Sequence, residues 1–166
     1  MNNKYLSLFI ILTITFLASA IGGFTTSAFK EPWYSQLTLA PFNPPAWVFG
    51  PVWTTLYFMM AVAAWLIWKR GGWKQQRRPL IIFLTQLVLN SLWSPLFFGM
   101  HEPGWAFFNI VLLLISIIAT IVKFFHESRT AALLLIPFVL YRMNLTRIWG
   151  LLLTALYLSY LQFITF

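Results

Sequence analysis

The feature that most restricts this chain is a series of apolar runs, each about 20 residues long, separated by short polar punctuation. They extend over Tyr5 to Thr25, Ala46 to Trp68, Pro79 to Gly99 and Gly104 to Phe125, and a fifth begins at Ala131. A helix of about 20 residues rises about 30 Å, the thickness of a bilayer's hydrocarbon core. Inside that core every backbone N–H and C=O needs a partner within the protein, so runs of this kind fold as helices. The separators carry chain-breaking residues: Lys30-Glu31-Pro32 and Asn43-Pro44-Pro45 in the first, Gly71-Gly72 in the second, His101-Glu102-Pro103 in the third and His126-Glu127-Ser128-Arg129 in the fourth. Connections this short make successive helices antiparallel. The expected fold is an all-α membrane protein, a bundle of five transmembrane helices, with residues 1–166 as a single domain.

Charge supports this reading and supplies a direction. Only 8% of residues are charged and 60% are hydrophobic, far below the roughly one-quarter charged content of a soluble domain. The net charge of +8 suggests nucleic acid as a partner, but no extramembrane segment is long enough to form a reading surface, so none is expected. Lys69, Arg70, Lys74, Arg77 and Arg78 crowd the second connection, and Lys4, Lys123 and Arg129 fall on the same side by alternation, against Lys30 alone on the other. If the membrane is a plasma membrane, the positive-inside rule puts the N-terminus and the Gly71-Gly72 connection in the cytoplasm, and a bacterial cell membrane is the expectation. The connection from Thr26 to Pro45 then faces outward.

Two segments leave alternatives. Lys4, the apolar run to Leu17 and Ala18-Ser19-Ala20 have the layout of a secretory signal peptide. Apolar character continues to Phe24, which favours a retained first helix. From Ala131 to Phe166 the chain is too long for one crossing, and Arg142, Asn144, Thr146 and Arg147 interrupt it. Either the arginines lie in the bundle or snorkel, or the chain breaks there and the stretch from Ile148 crosses. The five-residue separation puts the two arginines about 140° apart around a helix, so they cannot share a face. Placement of 142–147 near an interface or in a break is the expectation.

Candidate chemistry is sparse. Absence of cysteine excludes disulfides and thiolates. Glu31, Glu102 and Glu127 and both histidines lie between the apolar runs, with no spacing suited to acid–base or metal chemistry, so neither a catalytic nor a metal site is expected. His101 and His126 fall on opposite sides, which excludes joint ligation of one metal. Ala18-x-x-x-Gly22 and Ser19-x-x-x-Gly23 are patterns for close helix contact, within the bundle or between protomers. Val139-x-Tyr141 with Arg147 satisfies a weak proposed cholesterol pattern.

Aromatic residues make up 19% of the chain, and their ordinary place is the membrane interface. Trp65, Trp68 and Trp73, beside the basic cluster, fit that role. Trp53 and Tyr57 are four apart on one helical face, and Gln86, Asn90 and Trp93 follow the same periodicity on the third segment. A Gln and an Asn facing lipid would be costly, so this face points inward. It is either interhelical glue or the wall of a ligand cavity.

The run Trp33-Tyr34, Leu37, Pro41, Asn43-Pro44-Pro45, Trp47-Val48-Phe49-Gly50-Pro51-Val52-Trp53, Leu56-Tyr57 resembles the hallmark of the translocator protein family, also called tryptophan-rich sensory protein or TspO/MBR. Gln86, Asn90, Trp93, Pro95 and Phe97 to Met100 continue it, as do Trp105 and Asn109. The resemblance covers about residues 5–140. It implies a five-helix bundle, often dimeric, that binds porphyrin or haem and, in eukaryotes, cholesterol and benzodiazepine-type ligands, with no obligatory cofactor. It further implies a pocket involving Trp33, Pro41, Trp47, Trp53, Tyr57, Asn90, Trp93 and Trp105, to which the helical face adds Gln86 and the matched run adds Asn109. In the fifth segment Tyr141 stands where the family has Trp, and an offset alignment places Trp149 there instead. Light-dependent porphyrin breakdown, proposed for the family, depends on a Trp pair matched here by Trp53 and Tyr141. A membrane sensor or regulator is the leading expectation, with a porphyrin transporter second.

Overall fold

The computed structural model describes residues 4–32 and 46–141, and within them the chain is helical with short connections and no strand. Helix α1 is Lys4–Phe29, α2 Ala46–Trp68, α3 Gly72–Ser94, continued by a π turn Pro95–Gly99, and α4 Pro103–Glu127. A short apolar helix, Arg129–Tyr141, follows as α5. Four of these are long and apolar enough to cross a bilayer. The chain is an integral membrane protein, as its apolar runs required.

Helix α2 is central. Its small residues Ala61, Ala63 and Ala64 are buried with Met60 and Ile67, so neighbouring backbones approach closely. Helix α4 packs along α3, and α5 packs against α4 and α2. Helix α1 lies on the outside of the bundle against α2 and α3, with only 11% of its apolar window buried, against 39% for α2 and α3. Its contact line carries the first small-residue pattern: Ala18 is buried, and a Cβ on Gly22 would come within 3.3 Å of Ser94 Oγ. Among the described residues nothing lies within 4 Å of a Cβ built on Gly23, so the contact line inside the bundle runs through Ala18 and Gly22.

Three departures from regular helix have local causes. Helix α3 begins at Gly72, seven residues before the expected start at Pro79, so Lys74, Arg77 and Arg78 belong to a helix and the connection shrinks to residues 69–71. The positive φ values of Gly71 (154°) and Gly72 (62°) make that turn. A kink at Gln76 (φ −106°, ψ 22°) accommodates Pro79, which cannot donate to the carbonyl one turn earlier. Pro95 likewise breaks the ladder, and the chain widens into the π turn, where Met100 N donates to Pro95 O at 2.9 Å. That widening turns Phe97 and its neighbour Phe98 both inward. In α5, Pro137 leaves the Leu133 carbonyl without its helical donor, and the chain tightens at Leu135, whose N–H donates to Ala132 O at 3.0 Å. Residues 142–166, with Arg142, Arg147 and Trp149, lie outside the described residues.

Candidate functional site

Alternation of the helices brings the start of α2 beside the end of α3, the start of α4 and the end of α5. At that level Trp53 of α2 is the hub. Its ring centroid lies 5.8 Å from Tyr57, 6.3 Å from Phe138 and 5.4 Å from Tyr141, the latter two edge-on. Edge-to-face contact is the favoured geometry for rings with a negative face and positive rim. Phe138 and Tyr57 are buried, Trp53 and Tyr141 half-buried. Tyr141 therefore lies beside Trp53.

The polar residues of α3 face this cluster. Asn90 Nδ2 donates to Tyr57 Oη at 2.9 Å, and Gln86 Nε2 donates a long contact, 3.5 Å, to Met60 Sδ. Gln86, Asn90 and Asn109 are all buried. The amide carbonyl oxygens of Gln86 and Asn109 accept no hydrogen bond among the described residues. A buried acceptor without a donor costs about 1 to 3 kcal/mol. The Asn90 amide N–H ties α3 to α2, whereas the buried carbonyls of Gln86 and Asn109, like that of Gln76 at the other end of α3, accept no bond among the described residues.

A second aromatic group lies at the end of α3. Trp93 stacks on Phe97 at 5.4 Å with 9° between planes and meets Phe98 edge-on at 6.0 Å, while Ala106 and Ile110 of α4 close the cluster. Trp47 and Trp105 are at the same end, at the starts of α2 and α4, and are largely exposed, 76% and 62%. Trp33 and Pro41 lie outside the described residues. Sequence reasoning had named neither Met60 nor Phe138 as a site residue; both fall one helical turn from a named one, Tyr57 and Tyr141, and that spacing was the available signal. Among the described residues no group of three or more His, Cys, Asp or Glu could hold a metal. A cavity of about 440 Å3 lies at the other end of the bundle, between α1 and α3, and touches none of these residues.

The model of the TspO/MBR family matches residues 9–156. The tryptophan-rich protein TspO of Archaeoglobus fulgidus is 42% identical over 118 residues, covering 71% of this chain and 76% of that protein. The human translocator protein is 39% identical over 129 residues, 74% of this chain and 76% of its own. The tryptophan-rich sensory protein of Cereibacter sphaeroides is 36% identical over 132 residues, 78% and 82%.

Proposed function

Since the chain belongs to the TspO/MBR family, we propose that this integral membrane protein binds a tetrapyrrole, porphyrin or haem, at the Trp53 cluster and acts as a membrane sensor or regulator. The observation that carries the proposal is the pairing of an aromatic wall with buried amide carbonyls that have no partner among the described residues. Trp53, Tyr57 and Tyr141 offer ring surface to a flat ligand, and the carbonyls of Gln86 and Asn109 offer acceptors to the pyrrole N–H groups of a metal-free porphyrin or to a protonated propionic acid of either tetrapyrrole. A hydrophobic ligand with a few donors relieves the desolvation of those carbonyls at little cost to its own. A sterol, with one hydroxyl, meets the same demand less completely.

Tyr141 beside Trp53 favours binding over light-dependent breakdown, because the second ring of the pair is a phenol and not an indole. Transport is the weaker reading, although relatives carry the name translocator protein. The three carboxylates stand at or beyond helix ends, leaving none in mid-membrane to couple protons. The basic end of the bundle faces the cytoplasm in this proposal.

The test is quenching of tryptophan fluorescence on titration with protoporphyrin IX, haem and a sterol. Trp53→Phe and Asn90→Ala each weaken porphyrin binding by about 1 to 3 kcal/mol. Val88→Ala, on the exposed face of α3, leaves it unchanged. Equal losses in all three variants, or no saturable quenching by either tetrapyrrole, refute the assignment.

A further inference from the structure

At the basic end of the bundle, away from Trp53, the cavity of about 440 Å3 forms a groove between α1 and α3. One wall is the ridge Leu6, Ile10 and Ile14 of α1, spaced by four; the other includes Phe83 and Leu84 of α3. Leu6, Ile10, Ile14 and Leu84 are exposed, so the groove opens toward the hydrocarbon around the bundle. From Leu6 to Thr15 it follows α1 for about 13 Å of depth. Its two hydroxyls are satisfied within α1: Ser7 donates to Lys4 O at 3.0 Å and Thr15 to Ile11 O at 2.7 Å. The wall therefore asks for no polar partner, unlike the buried carbonyls of Gln86 and Asn109.

The mouth of the groove is different. Trp68 and Trp73 line it there, and neither indole N–H has a partner among the described residues. Trp65 Nε1 donates to the Lys4 carbonyl at 3.0 Å and Lys69 Nζ lies 4.4 Å from the Trp65 ring centroid, which sets Lys4 and Lys69 at one level. Arg70 and Lys74 flank the two indoles in sequence and are exposed. Among the described residues none of Lys4, Lys69, Arg70 and Lys74 has an acidic partner. Glu127, which shares this end, accepts from Gln76 at 3.1 Å instead.

We infer that this groove is a site for an anionic phospholipid of the adjoining leaflet. One acyl chain lies between α1 and α3, and the phosphate is held among Lys4, Lys69 and Lys74 with the indole N–H groups at headgroup level. An apolar slot capped by cations without acidic partners complements the chain and the net negative charge of such a lipid, whereas a zwitterionic lipid brings no net charge to match. Each Lys or Arg near an anionic lipid adds about fivefold in affinity.

Native mass spectrometry of the full chain, released from micelles holding equal dioleoyl phosphatidylglycerol and dioleoyl phosphatidylcholine, tests it. The wild type retains phosphatidylglycerol with a preference of about tenfold or more, and Lys4→Gln with Lys74→Gln brings the two lipids close to parity. Ile10→Trp, and separately Leu84→Trp, fill the slot from exposed positions and abolish retention, while circular dichroism and porphyrin titration stay as in the wild type. Equal retention of both lipids by the wild type overturns the inference, as does phosphatidylglycerol held undiminished by both filled variants. So does a filled variant that alters only the fraction of dimer, which assigns the groove to a second copy, or displacement of the lipid by protoporphyrin IX, which assigns it to the tetrapyrrole.

Discussion

The hydrogen bond from Asn90 to Tyr57 offers a measurement of how α3 is held and what its polar face does. Both residues are 4% exposed and the bond is 2.9 Å long. Tyr57→Phe removes the accepting hydroxyl and keeps the ring against Trp53; Asn90→Leu removes the donor at similar volume. Each single variant breaks the same bond, so the double-mutant cycle isolates its energy. Interhelical hydrogen bonds in membranes average about 0.6 kcal/mol, with an upper range near 1.7, because groups in the unfolded but inserted chain also find partners. A coupling energy of about 0.6 to 1.5 kcal/mol is expected from unfolding in mixed micelles of rising denaturing-detergent fraction, followed by tryptophan fluorescence. Porphyrin affinity separates the roles. Asn90→Leu is expected to weaken binding by about tenfold, or about 1.4 kcal/mol, and Tyr57→Phe by clearly less, because in the proposed function Asn90 also orients the ligand and Phe keeps the ring of Tyr57. Zero coupling would mean that the bond contributes nothing net to holding α3 against α2. Equal affinity losses in the two variants would reduce Asn90 to a tie between helices.

Three further outcomes are expected. Gly22→Leu, which drives a side chain into Ser94, costs about 1 to 3 kcal/mol in the same unfolding assay, whereas Gly23→Leu, with nothing within 4 Å among the described residues, changes stability by less than about 0.5 kcal/mol. The chain has no native cysteine, so Gln75→Cys can be labelled alone; an impermeant maleimide reacts with it only after the cells are opened, and reaction in intact cells would reverse the orientation. Truncation after Arg147 leaves porphyrin binding largely intact, since Trp53, Gln86, Asn90 and Tyr141 all precede it; loss of binding by a truncated bundle that keeps its helicity would assign Trp149 to the pocket.

The helices of this bundle were readable in the sequence because a bilayer makes the requirement local. About 20 apolar residues must satisfy their own backbone wherever they sit, so Ala46 to Trp68 and Gly104 to Phe125 fall close to α2 and α4. The inward turn of Gln86 and Asn90 was equally readable, since lipid offers an amide no partner. Where a helix starts was less so: basic residues mark a membrane boundary, but Lys74, Arg77 and Arg78 can end a crossing while remaining helical, and α3 begins at Gly72. Only the tertiary structure decided who meets whom. Tyr141 lies 84 residues after Tyr57 in number, yet both rings rest on Trp53, and Met60 becomes the neighbour of Gln86 through the crossing of α2 and α3. Two widened or broken turns, at Pro95 and Pro137, rotate Phe97, Phe98 and Phe138 into place. Periodicity says which face of a helix avoids lipid. The rotation and crossing of neighbouring helices decide what that face touches, and these follow from packing that no single segment contains.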